Sequence, residues 1–335
     1  MNDLVHRIRA LVARVPRSAV RAAGALLAAL TALFVALEVV RQWDDLVEVV
    51  RAADPWWLIA AGAVFAVGEA GYAFVWPATL RRTGHPVPPG TAAATFLVTQ
   101  TAKFVPGSMW QHVGRVGTSD RLGVPKRVIA GALVLEVAAS VAAALFLAAL
   151  VGTAAPLVFD APGPALRALE LLAGVAALVL VPEAARRAAG KVGGRALLST
   201  GAYALVVGWH VVVWALYGAG AGLLAVGLGG PFVDTVGAFC LSWVVGLVVV
   251  GAPAGLGVRE AVMAAALTPV AGADVALAVT IGSRAVWTVA QFAGAALGLA
   301  YLSHDGRGSR TATAGRGVEG DGGRATDGPP PAVPC

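Results

Sequence analysis

Eight ionisable side chains stand in apolar surroundings: Glu69, Lys103, Arg115, Glu136, His210, Arg259, Glu260 and Arg284. A charge at the centre of a lipid bilayer costs from about 2.5 kcal/mol upward on insertion scales, so such groups turn to a partner or a wet cavity. Glu136, in Val134-Leu135-Glu136-Val137, suits an ion pair with an arginine of a neighbouring helix, or a cavity acid that meets a cationic headgroup or a proton. Arg284, in Gly282-Ser283-Arg284-Ala285, calls for a carboxylate (Glu136 or Glu260) or a phosphate. Its planar fork suits phosphate because it donates two parallel hydrogen bonds. Glu136 and Arg284 are expected to face one interior, with Arg259 and Glu260. Arg115 and Arg259 are expected nearer the interface.

Two segments combine charge with a Pro/Gly break. Lys103-Phe104-Val105-Pro106-Gly107 is followed by Trp110, Gln111, His112 and Arg115. Non-helical backbone at membrane depth survives only inside protein or along a wet cavity. Gly107 permits close backbone approach. Freed N–H groups between Lys103 and Arg115 then make either a lipid-phosphate site or an interfacial loop with bases on its cytoplasmic side. The second segment is Pro253-Ala254-Gly255-Leu256-Gly257-Val258-Arg259-Glu260. It opens a helical stretch whose N-terminal N–H groups favour an anion, unless Glu260 itself caps them. Glu69 lies among Gly68, Gly71 and Tyr72 and reads as a helix-contact residue. His210, beside Trp209 and Trp214, reads as packed or hydrogen-bonded between helices.

Other chemistry lacks support. No G-x-x-x-x-G-K-[ST], Gly-x-Ser-x-Gly, His-Glu-x-x-His or Cys-x-x-Cys occurs. The glycines at 255 and 257 lack the βαβ context of a nucleotide site. Catalytic residues, metal ligands and cofactors are therefore not expected. Cys240 and Cys335 offer no disulfide framework.

Long apolar helices must carry these residues. A hydrocarbon core of about 30 Å needs about 20 helical residues. Spans are read at 22–39, 56–76, 128–151, 166–181, 197–216, 236–251 and 275–302, the fourth weakened by Arg167 and Glu170. Residues 22–39 follow a basic N-terminus and are taken as an uncleaved first span, not a signal peptide. Thr91–Val105 is too short to cross and has bases on both sides, so it reads as a re-entrant hairpin. Residues 252–273 form either a second hairpin or a short crossing. Basic residues place the N-terminus and the loops at 81–82, 115–127 and 186–195 in the cytoplasm. From Ser303 the Gly-, Arg- and Pro-rich composition predicts disorder. The domains are thus a basic N-terminus (1–21), a membrane domain (22–302) and a tail (303–335). Each half holds a broken segment, an Arg (Arg115, Arg259) and a charged span residue (Glu136, Arg284), a loose internal echo of the kind that marks transporter sites.

Composition agrees. Of 335 residues, 58% are hydrophobic and 13% charged, and mean hydropathy is +0.77. A soluble domain carries about 25% charged residues, so a soluble enzyme is excluded. Unbroken apolar runs exclude the alternating strands of a membrane barrel. The fold class is all-α, a polytopic bundle of seven or eight spans with one or two broken segments. The formal charge of +6 fits positive-inside loops better than nucleic-acid binding, because no basic run alternates with exposed aromatics.

The broken segments carry a resemblance. Lys103-Phe104-Val105-Pro106-Gly107 with Arg115 resembles a K-x-x-P-G segment with its downstream Arg. Leu135-Glu136 resembles an acidic position in the next span, and residues 253–260 resemble a P-x-G-x-G-x-R-E signature. Arg284 stands where an Arg occurs in the last span. The family so resembled, over about residues 15–302, is the lysylphosphatidylglycerol synthase transmembrane-region group of flippase-like proteins. The resemblance implies an inner-membrane bundle with re-entrant segments that moves lipid between leaflets. Aminoacyl lipid synthesis is not expected, because no transferase domain follows the membrane part. The expectation is a non-enzymatic translocase of the plasma membrane whose partners are phospholipids or polyprenyl-linked substrates. A lipid-modifying transferase and a non-transporting partner of an envelope glycosyltransferase are the alternatives. Substrate contacts are expected from Lys103, Pro106, Gly107, Arg115, Glu136, Gly255, Gly257, Arg259, Glu260 and Arg284.

Overall fold

A computed structural model describes residues 53–104, 110–154, 163–193, 198–248 and 257–318, with Asp44, Val47, Arg51 and Leu157 besides. Among these the chain forms helices α1 (Pro55–Arg82), α2 (Pro89–Gln100), α3 (Trp110–Gly117), α4 (Ser119–Leu122), α5 (Lys126–Val151), α6 (Pro164–Gly193), α7 (Thr200–Gly227), α8 (Phe232–Val248), α9 (Val258–Ala271) and α10 (Ala273–Val318). A 3₁₀ turn, Thr101–Phe104, follows α2. The described residues contain no strand, and the all-α bundle is the one the apolar runs call for.

Local chemistry sets the ends. Asp54 caps α1 by accepting the Trp56 N–H at 3.0 Å, and Pro55 occupies the first turn, where its missing N–H costs nothing. Ser199 caps α7 through the Ala202 N–H. Gly152 ends α5 in the left-handed region, its N–H reaching back to Ala148 and Ala149.

Among the described residues, five helices are long and apolar enough to cross a membrane: Pro55–Arg82, Lys126–Val151, Pro164–Lys191, Thr200–Gly227 and Ala273–His304. Phe232–Val248 is a shorter apolar helix. The span expected at 22–39 lies outside the described residues. The span expected at 166–181 is instead a 30-residue helix. Arg167 and Glu170 do not shorten it, because they reach the α5–α6 connection. Arg167 donates to the Gly152 carbonyl, and Glu170 accepts the Ala154 N–H at 2.7 Å. Arg186, Arg187 and Lys191 lie within this helix rather than in a loop. The boundary expected at Ser303 is likewise interior to a helix, since α10 continues to Val318.

The contacts fix the direction of each element. The Asp54 N–H donates to the Gly227 carbonyl at 3.1 Å, and Gly230 faces Val275, so the start of α1, the end of α7 and the start of α10 share one end of the bundle. At the opposite end lie Arg81, Arg82, Lys126, Arg127 and Lys191, a basic end to which the α10 chain runs.

The short helices form two half-depth elements. α2 runs antiparallel to α10: Gly90 faces Tyr301, Gly298 faces Ala94 and Gly294 faces Leu97. A Cβ on Gly298 would stand 2.8 Å from the Ala94 carbonyl oxygen, so glycine is what lets α2 sit this close. At 12 residues α2 is about 18 Å long, and the chain turns back through α3 toward the start of α5. The segment thus enters and leaves at the basic end. α8 starts at the other end, where Gly222 faces Phe232. After residues 249–256, α9 (14 residues, about 21 Å) returns to Gly272, which leads directly into α10. The two broken segments therefore enter from opposite ends.

Candidate functional site

The broken segments meet at Trp287, near the middle of the membrane-spanning part of α10. The Lys103 ammonium lies 4.9 Å from the Trp287 ring centroid, and the Arg259 guanidinium also lies 4.9 Å from it. Such contacts are attractive because the ring face carries negative potential. Lys103 also lies 5.6 Å from the Phe104 ring, and Arg259 lies 5.5 Å from Phe239. Neither cation forms an ion pair among the described residues, and the Arg259 Nε has no hydrogen-bond partner.

Glu69 supports this centre from the midpoint of α1. Its side chain is 2% exposed. Oε1 accepts from Trp287 Nε1 at 2.8 Å and from Gln291 Nε2 at 3.0 Å. The sequence reading placed Glu69 at a helix contact, and that contact is polar. Phe65, Tyr217 and Phe239 close around the indole, with centroid distances of 5.0–6.3 Å.

Arg115 and Glu136 form a second centre, toward the basic end. The Arg115 Nη1 to Glu136 Oε1 distance is 2.5 Å, and the side chains are 1% and 2% exposed. Arg115 Nη2 donates to Gln100 Oε1 at 3.0 Å. The guanidinium stacks 4.3 Å from Phe96 and 5.3 Å from Trp76. Arg115 thus locks α3 to α2 and α5, and it is buried rather than interfacial. Tyr72 hydrogen-bonds Ser140 at 3.0 Å and meets His210 edge-on at 5.5 Å, while His210 Nδ1 reaches the Val206 carbonyl at 2.7 Å.

The third centre decides between the two carboxylates expected for Arg284: the partner is Glu260, not Glu136. Arg284 Nη1 lies 3.1 Å from Glu260 Oε1, so each arginine pairs with the acid nearest its own broken segment. Glu260 Oε2 also accepts the Gly257 N–H at 2.5 Å, capping α9, and Gly257 takes the left-handed φ of 84° that favours glycine. A small recess, with room for about one water, opens here among Ser242, Arg259, Glu260, Thr280, Ser283 and Arg284. The Thr280 hydroxyl has no hydrogen-bond partner among the described residues.

Of the site residues expected from sequence, Lys103 and Arg259 meet at Trp287. Arg115 pairs with Glu136, and Glu260 pairs with Arg284 beside Gly257. Pro106, Gly107 and Gly255 lie outside the described residues. Sequence reasoning missed Gln100, Trp287 and Gln291. Arg284, Trp287 and Gln291 follow the i, i+3, i+7 spacing of one helix face, a signal that could have marked two of them. No group of three His, Cys, Asp or Glu capable of holding a metal occurs among the described residues.

Among the described residues the interior thus holds the cations Lys103, Arg115, Arg259 and Arg284 and the carboxylates Glu69, Glu136 and Glu260. An all-α membrane bundle with two oppositely entering broken segments and a charged centre defines a class of polytopic membrane protein. The family model described as "Lysylphosphatidylglycerol synthase TM region" matches residues 21–295, and the chain belongs to that family. No curated protein matches the chain.

Proposed function

We propose that this chain moves a lipid, or a lipid-linked substrate, between the leaflets of the plasma membrane without changing it covalently. The observation that carries the reading is the convergence of Lys103 and Arg259 on Trp287. Two cations from segments of opposite entry stand at mid-depth without an ion-pair partner among the described residues. Buried uncompensated charge is costly in lipid, and a phosphate between the two would offset it. Substrate sites near the midplane, framed by discontinuous helices, are the pattern of secondary transporters. Arg115–Glu136 and Glu260–Arg284 hold the two broken segments in place around that point. The N-terminus and the basic end face the cytoplasm in this reading, because bases concentrate there.

The test is a leaflet-accessibility assay on proteoliposomes, using phospholipids that carry a fluorophore on one acyl chain. Movement of label above protein-free vesicles, with the lipid recovered chemically intact, is the expected result. A modified lipid product would replace the reading with a transferase. No movement and no product would leave a partner role in envelope assembly.

A further inference from the structure

Buried polar groups of α1, α5 and α7 form a line between Glu136 and Glu69. The Tyr217 ring lies directly on Gly68, beside the Glu69 carboxylate. Tyr72 meets Tyr217 edge-on at 6.4 Å and His210 edge-on at 5.5 Å. The Tyr72 hydroxyl stands 3.0 Å from that of Ser140 and beside the Glu136 carboxylate. Glu136 lies about 15 Å into α5 from the basic end, and Tyr217 about 25 Å into α7 from the same end. The line therefore runs inward from the Arg115 pair to the Trp287 centre.

Its open positions are acceptors. Glu69 Oε2, Glu136 Oε2 and His210 Nε2 are buried and have no hydrogen-bond partner among the described residues. His210 Nδ1 bonds the Val206 carbonyl, which only accepts, so Nδ1 carries the ring proton and Nε2 is bare. Buried acceptors are rarely left unmet in native proteins. Between them stand the hydroxyls of Tyr217, Tyr72 and Ser140, each able to accept one proton while giving another. Glu136 has a guanidinium partner, with His112 of α3 nearby, and Tyr203 donates to the adjoining Leu135 carbonyl. Glu69 has no ion pair among the described residues, so a proton there breaks none. Trp287 and Gln291 hold its Oε1 as donors in either state, which leaves Oε2 for the proton. Lys103 and Arg259 stand against the same indole. Ionised, Glu69 takes up part of their field; protonated, it leaves that field to an anionic substrate. Proton and anion thus promote each other's binding, and linkage makes the effect reciprocal.

We infer that the line from Glu136 to Glu69 carries protons, and that one proton on Glu69 Oε2 crosses with each anionic lipid. This names the driving ion of the translocase reading, on which it rests. The proton comes from water at one face, resides on Oε2, and returns to water when the centre opens to the other face; no bond of the lipid changes.

The full chain is reconstituted into vesicles that enclose a pH-sensitive dye, with the outside made acidic. Two chain-labelled probes of single negative charge are followed at trace level: phosphatidylglycerol and a polyprenyl phosphoryl hexose. For one coupled proton, a gradient of about one pH unit should enrich at least one probe about tenfold in the leaflet on the alkaline side. Proton entry should depend on that probe. Equal occupancy of the leaflets, or proton entry that ignores the probe, overturns the coupling and leaves translocation standing. Enrichment on the acidic side overturns it as well, because the proton would then move against the lipid. Movement of neither probe overturns translocation and the coupling together. In Glu69→Gln the leaflets should end equally occupied, a final ratio that a mere loss of rate or stability does not move. If that variant is not monodisperse in detergent, Tyr217→Phe, which lacks only the hydroxyl, should slow probe-dependent proton entry several-fold. Native coupling and native proton entry in a folded variant refute the assignment.

Discussion

Replacing Arg115 by methionine removes the cation from the most enclosed ion pair in the described bundle. The loss follows from the geometry. Glu136 is 2% exposed, its Oε1 sits 2.5 Å from Arg115, and its Oε2 has no hydrogen-bond partner. Without Arg115 the carboxylate must stay charged and unpaired or take up a proton. Gln100 also loses its donor, and the space between Phe96 and Trp76 is only partly refilled. Removing one member of a buried pair costs about 3–5 kcal/mol, whereas replacing both with apolar side chains is often neutral. Arg115→Met should therefore lose about 3–5 kcal/mol, and Arg115→Met with Glu136→Leu should recover most of it. Unfolding by dodecyl sulfate in mixed micelles, followed by far-UV circular dichroism, measures both variants and yields the coupling energy. A coupling below about 0.5 kcal/mol, the range of independent sites, would refute the pairing. The same cycle on Arg284 and Glu136 should give no coupling beyond about 0.5 kcal/mol, because these residues belong to different pairs.

Other consequences can be checked separately. Glu260→Gln weakens the α9 cap and the ion pair with Arg284, so amide exchange over 258–262 should quicken, with a loss of about 1 kcal/mol or more; unchanged exchange would contradict the cap. Gly298→Ala places a Cβ against the Ala94 carbonyl, and the overpacking should cost about 1–3 kcal/mol in the same unfolding assay. Trp287→Phe removes the indole donor to Glu69 and should cost about 1.5–3 kcal/mol, the usual worth of a hydrogen bond to a charged group; a neutral effect would show that Glu69 does not depend on it. Cysteines introduced at 84 and 120 should react with an impermeant reagent from the same side of the membrane. Reaction from opposite sides would reject the half-depth reading of α2 and α3.

The membrane class and most helices were legible because apolar runs of sufficient length leave few alternatives. Thr91–Val105 was legible as a short segment for the same reason, since 15 residues between like-signed flanks cannot cross. Residues 166–193 misled because Arg167 and Glu170 count against a span on any hydropathy scale. Their partners are backbone groups of the α5–α6 connection, and no local pattern reveals those. The charged residues were found by their cost in lipid, but that cost does not say which pairs with which. Arg115 looked interfacial because it follows a Pro/Gly break near basic loops; α3 folds back on α2 and carries it inward to Glu136. Glu69 was assigned to a helix contact because its neighbours are glycines. Its role depends on Trp287 and Gln291, more than two hundred residues away in sequence.

The central claim is that Lys103 and Arg259, delivered by segments entering from opposite ends, together face one anionic group beside Trp287. A density map of the purified protein in nanodiscs of an anionic phospholipid tests it most directly. The account predicts a phosphate within hydrogen-bond reach of both Lys103 and Arg259, with the Arg115–Glu136 and Glu260–Arg284 pairs intact. A map in which Lys103 and Arg259 lie on separate faces of the bundle, or in which Glu69 or Glu136 has left its place to neutralise Arg259, would contradict it.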